Sequence, residues 1–233
     1  MSDARFEDTS EGSARGSPFP EREDRPVREP MFNAPWPAML VVALIIGGYA
    51  LQSRFPPEMV NPFVFAPADL SIGHWWTSVT AIFLHGSWTH ALTNAAFALA
   101  FGAPTARFLG ANPAGVAAFF GFYVLTGVIG NLGFAALHPG EVSGVVGASG
   151  AVAGLMAAGA RLLGGHGQLN SIFSRMSVSM GLALLAVNLL IAVFGSALVP
   201  GADGAGIAWE AHLAGFAAGA LLIGPFAWLA RRG

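Results

Sequence analysis

Six apolar stretches punctuate the chain, at about 36–53, 81–104, 113–136, 148–164, 177–199 and 208–230. A membrane-crossing helix needs roughly twenty predominantly apolar residues, so each stretch predicts one transmembrane helix. The second is the least regular, because the polar run His-Gly-Ser-Trp-Thr-His (85–90) sits near its start. The fourth is short and glycine-rich, and is expected to begin below the membrane surface. Ahead of the first stretch the pattern vanishes. Residues 1–30 hold five arginines and eight acids among Pro, Gly and Ser, without apolar periodicity. That composition predicts a disordered tail over 1–32 and a six-helix domain over 33–233. A polar segment of this length ahead of the first apolar run also argues against a cleaved signal peptide.

Composition agrees with the pattern. The 233 residues are 54% hydrophobic and only 10% charged, whereas a soluble domain carries roughly a quarter charged residues. The expected class is therefore an all-α polytopic membrane protein in a lipid bilayer, with no nucleic-acid partner. Cysteine is absent, which excludes disulfides, thiol nucleophiles and thiolate metal sites. Lysine is absent as well, which removes Ser-Lys dyads and Schiff bases.

The arginines orient the spans. Arg107, Arg161, Arg175, Arg231, Arg232 and the five of the tail all fall on one side, leaving Arg54 alone on the other. The alternate loops carry Glu58, Asp69, Glu141, Asp203 and Glu210 instead. By the positive-inside rule both termini are cytosolic, and Arg161 and Arg175 need no further role. Spans two, four and six then run from outside to inside. Their first turns hold His85, His90 and Asn94, then Ser149, then His212. The unusual polar side chains are thus expected at one depth, toward the outer face.

Each of them has a plain alternative. Gly-Ala-Ser-Gly at 147–150 places Ser149 among Gly147, Gly150 and Gly154, a small-residue face that suits helix packing as well as it would expose a nucleophile. His212 shares a helix face with Gly215 and Gly219, where a neighbouring backbone comes closest. It could bridge helices by hydrogen bonding, but with a serine at matching depth a general base is the favoured reading. His90 and Asn94, spaced i,i+4, can together donate to a developing oxyanion, or simply bond to each other or a loop. His74, His85, Trp75, Trp76, Trp88 and Trp209 fit an interfacial belt and loop structure. His138 and His166 lie in loops without a functional claim. No HExxH motif, no aspartate pair within a span and no buried acids of a proton-coupled transporter occur.

These residues resemble the rhomboid family of intramembrane serine proteases. Gly-Ala-Ser-Gly (147–150) is similar to the family's GxSG, and Ala-His-Leu-Ala-Gly-Phe-Ala-Ala-Gly (211–219) to its AHxxGxxxG. His-Gly-Ser-Trp-Thr-His-Ala-Leu-Thr-Asn (85–94) resembles the HxxxxHxxxN of its second helix. The similarity runs from about Trp76 to Gly219 in order and spacing. It implies a six-helix bundle of bacterial type, in the inner membrane, that cuts transmembrane protein substrates near the outer face. It further implies Ser149 as nucleophile, His212 as base, His90 and Asn94 as oxyanion residues and His85 as a loop anchor. No acid is evident as a third member, so the expected machinery is a Ser-His dyad without metal or cofactor. Two positions depart from the pattern. Trp76 is followed by Thr77 where an arginine is usual, and Ala153 stands where some members stack a tyrosine on the histidine. The other readings are a catalytically silent rhomboid-like binder of transmembrane segments and a small channel or transporter.

Overall fold

A computed structural model describes residues 34–163, 165, 168–194 and 208–232. The expected tail, His166, Asp203 and the end of the fifth apolar stretch lie outside the described residues. Six long helices cover the six apolar stretches: α1 (Trp36–Gln52), α2 (Trp88–Leu109), α3 (Pro113–Leu137), α4 (Ser149–Leu163), α5 (Arg175–Phe194) and α6 (Trp209–Ala230). They belong to one compact unit, Ala34–Gly233. No strand occurs among the described residues, only an isolated bridge between Phe65 and Val145. By length and composition α3, α5 and α6 are each long and apolar enough to cross a membrane, while α1 and α4 are shorter apolar helices.

Local chemistry sets the helix starts. Pro113 opens α3, and the Asn112 side chain accepts the Gly115 amide at 2.7 Å. The α2 boundary corrects the expected start at 81. Residues Ala81–Phe83 make only a 3₁₀ turn, and the helix begins at Trp88. The reason lies in the backbone of His85, whose N–H and C=O are both taken by the Gln52 side chain, at 3.0 and 2.8 Å. Extended Ser87 then caps the helix by accepting the His90 amide at 3.1 Å.

Helix α4 forms the centre. It touches α2, α3, α5 and α6, and eleven of its fifteen residues are buried, all of them Gly, Ala, Val or Leu. With so little side chain, the neighbouring backbones come very close. A Cβ placed on Gly215 of α6 would collide with the Gly150 carbonyl of α4, and one on Gly219 with the Gly154 carbonyl. A Cβ on Gly130 of α3 would lie 2.8 Å from the Ala211 carbonyl of α6. The glycine face read from the sequence is therefore a backbone-to-backbone contact of three helices. In lipid such packing supplies the cohesion that water would otherwise drive.

The segment between α1 and α2 is a chain of short helical turns rather than an extended loop. Asp69 organises it, with its carboxylate accepting the Ala66 amide at 3.0 Å and lying 3.1 Å from the Thr77 hydroxyl. That hydroxyl is also 2.7 Å from the His74 carbonyl. Thr77 is thus a buried polar member of this segment. At the other end of the bundle, Arg161 does more than mark topology. Its Nε donates to the Asn170 carbonyl at 2.8 Å and its Nη1 to the Ala220 carbonyl at 2.6 Å, tying the segment after α4 to α6.

Candidate active site

Ser149 is the first residue of α4, and the two residues before it decide its presentation. Gly147 has φ of 128°, a left-handed backbone that side chains rarely tolerate. There is no room for one either, because a Cβ there would fall 2.7 Å from Cε1 and Nε2 of His90. The Gly147 amide is held by the Ala81 carbonyl at 2.9 Å. This turn delivers Ser149 to the helix N-terminus, where the first amides have no intrahelical acceptor. Hydroxyl and free backbone donor are therefore presented together.

His212 lies in the first turn of α6, and its Nε2 is 2.8 Å from the Ser149 hydroxyl. That distance depends on the glycine contacts. Gly150 and Gly215, beside Ser149 and one turn after His212, are the positions at which α4 and α6 meet backbone to backbone. Both reactive side chains are partly buried rather than open to bulk solvent.

The second ring nitrogen of His212 is also occupied. Its Nδ1 lies 2.7 Å from Oδ1 of Asn188 on α5, and the Asn188 Nδ2 donates to the Leu184 carbonyl at 2.7 Å. Sequence reading missed Asn188. The available signal was that it is the lone carboxamide in an otherwise apolar stretch, a placement that costs free energy in a membrane without a partner.

His90 stands across from Ser149, on α2, with its ring against Gly147. The Gly86 amide donates to its Nδ1 at 3.4 Å. In the neutral ring that leaves the proton on Nε2, which together with Cε1 forms the edge of the ring toward Gly147. A Cβ at Gly147 would also be 3.8 Å from the Ser149 hydroxyl, so His90 and Ser149 border the same small space. Asn94 follows one turn along the same face of α2. It is 5% exposed, and its Nδ2 has no hydrogen-bond partner. A buried, unspent amide donor is costly unless something else accepts from it.

His85, read as a loop anchor or belt residue, lies inside the bundle. It is 1% exposed, with its ring edge-on to both Tyr49 and His90 at centroid distances of 6.4 and 5.2 Å. Neither ring nitrogen has a partner among the protein groups. Its place is behind His90, and its backbone is clamped to α1 through Gln52. Trp75 and Trp88 are exposed, at 67% and 46%. His138, expected to be an idle loop residue, stacks on Phe134 and pairs with Glu210 at 2.9 Å.

Three helices and a glycine turn thus set a hydroxyl against an imidazole, with the His90 ring beside the turn and the unpartnered Asn94 amide one turn further along α2. Chemically that set can remove a proton from oxygen and stabilise negative charge nearby. Comparison with known proteins bears on the family alone. The family model described as Rhomboid domain matches residues 72–228. Over 83 residues the chain is 39% identical to a Bacillus subtilis (strain 168) protein named "Putative rhomboid protease YdcA". That alignment covers 36% of this chain and 39% of the relative, so the likeness spans about two fifths of the relative's length.

Proposed function

Because this chain belongs to the rhomboid family and is an integral membrane protein, we propose that it is a serine endopeptidase that hydrolyses transmembrane segments of other membrane proteins. The observation that carries this reading is the 2.8 Å contact between His212 Nε2 and the Ser149 hydroxyl at the first residue of a buried helix. His212 accepts the hydroxyl proton as the Ser149 oxygen attacks a peptide carbonyl carbon. The carbonyl π bond breaks onto oxygen, and the resulting oxyanion receives hydrogen bonds from the Ser149 amide, His90 Nε2 and Asn94 Nδ2. Collapse of the tetrahedral species breaks the C–N bond, and the His212 proton passes to the leaving amine. Water then attacks the acyl-enzyme as His212 takes its proton, the acyl C–O bond to Ser149 breaks, and His212 returns the proton to the serine oxygen. Loss of one oxyanion donor costs roughly 10²–10³ in kcat in hydrolases of this logic.

Six crossings, cytosolic termini and a site opening toward the outer face of a bacterial inner membrane complete the proposal. The arginine distribution supports this orientation, with ten of the eleven on one side. Helix length supports the depth of the site. Fifteen residues make α4 about 22 Å long against a hydrocarbon core of roughly 30 Å. If its Arg161 end reaches the cytosolic surface, Ser149 sits inside the membrane rather than at its edge. A helical substrate hides its carbonyls, so the preferred substrates are segments with small or helix-weakening residues near their outer end. The tail over 1–32 is proposed as a solvated cytosolic extension.

The test is cleavage of a transmembrane reporter by protein reconstituted in liposomes, followed by N-terminal sequencing of the product. Cleavage should be lost in Ser149→Ala and His212→Ala. Cleavage that survives both substitutions would refute the proposal.

A further inference from the structure

Helix α5 is the outlier of the bundle. Of its twenty residues only Ser177 and Asn188 are buried, and Leu182, Val187, Leu189, Leu190 and Val193 all face outward. An apolar residue at 188 would serve packing against α6 as well, and would avoid desolvating a carboxamide. Asn188 is nevertheless 2% exposed, and both ends of its side chain are engaged. We infer that Asn188 is a positioning residue for the general base: it fixes the ring orientation and the tautomer of His212. This rests on the protease reading above and extends it from two side chains to three.

Donor and acceptor chemistry fixes each atom of this chain of bonds. The Leu184 carbonyl only accepts, so the Asn188 atom 2.7 Å from it must be the NH₂ group. The carboxamide is therefore not free to flip, and its oxygen is the atom that faces His212 Nδ1 at 2.7 Å. An oxygen acceptor requires an N–H at Nδ1. The neutral imidazole then has its lone pair at Nε2, the atom 2.8 Å from the Ser149 hydroxyl. That is the tautomer a base needs at that position, and the opposite one would place an N–H against the hydroxyl. Leu184 lies one turn before Asn188 on the same helix, so the whole chain of bonds is referenced to α5. Because α5 makes few other buried contacts, its seat against α6 becomes part of the alignment of the base.

The experiment compares wild type, Asn188→Leu, Asn188→Asp and Ser149→Ala in liposomes. It follows covalent labelling by a fluorophosphonate and steady-state cleavage of a transmembrane reporter. General-base assistance contributes about 10²–10⁴-fold, so Asn188→Leu, which keeps volume but lacks an acceptor, should lower kcat and the labelling rate roughly 10- to 100-fold. KM should stay within about twofold, because the contact aligns the base rather than binding substrate. Asn188→Asp keeps an oxygen acceptor toward Nδ1 and should recover a large part of the loss. A merely structural role would lower thermal stability in both variants and would not separate Leu from Asp in kcat. Equal kcat and labelling in wild type and Asn188→Leu would overturn this inference while leaving the protease reading intact. Failure of wild type to label or cleave above Ser149→Ala would overturn both.

Discussion

Helices α4 and α5 follow one another in the chain and are built on opposite plans. Helix α4 is Gly and Ala for most of its length and is buried on nearly every side. Helix α5 is Leu, Val, Met and Ala, and is buried at two polar positions only. In water the assignment would be reversed, with the leucine-rich helix inside. In lipid, large apolar side chains gain as much from acyl chains as from protein, and small residues earn the interior by letting backbones touch. The candidate chemistry sits where the two plans meet. Ser149 opens the small-residue helix, and Asn188 is the point at which the lipid-facing helix reaches the base.

The sharpest way to break this contrast is to give α6 a large side chain where it meets α4. Gly215→Leu should collide with the Gly150 backbone, push Ser149 and His212 apart and abolish cleavage, with a stability loss of at least about 1–3 kcal/mol from overpacking. Thermal unfolding in detergent and fluorophosphonate labelling would check the two parts separately. Next in size are the α2 donors. Asn94→Leu is expected to reduce kcat by about 10²–10³ while slightly raising thermal stability, because an unpartnered buried donor is removed. A drop in stability with unchanged kcat would assign Asn94 to structure instead. Gly147→Ala comes third. Its φ of 128° and the nearby His90 ring predict strain of about 1–3 kcal/mol and slower acylation, read from labelling kinetics. The smallest effect belongs to the outer face of α5. Leu182→Ala, at a residue 60% exposed, should leave kcat and unfolding temperature close to wild type. A large effect there would mean that α5 packs against protein rather than lipid on that face.

Much of this was legible from residue order, for a specific reason. Spacing on a helix is rigid, so Gly215 and Gly219 had to share the face of His212, and His90 that of Asn94. The start of α3 was legible because its apolar stretch begins at 113, directly after the Asn112 that caps it. A helix start was not legible where a distant residue decides, as at His85, whose backbone is taken by Gln52 from another helix. The same distance effect hid Asn188. Nothing near it in sequence is polar in a pattern, and its partner His212 is 24 residues away along the chain. It also bears on one departure from the family pattern, for at Ala153 no ring is available to hold His212. Asn188 supplies a contact to that histidine from a different helix. Thr77, the other departure, bonds within its own segment around Asp69.

In the proposed mechanism Ser149 is a nucleophile activated by His212. The most direct measurement is intact-protein and peptide mass spectrometry after fluorophosphonate treatment of the membrane-embedded chain. A single phosphonyl adduct mapped to Ser149 is expected in wild type, absent from Ser149→Ala and strongly slowed in His212→Ala. An adduct on any other residue, or equal labelling of Ser149 with and without His212, would contradict it.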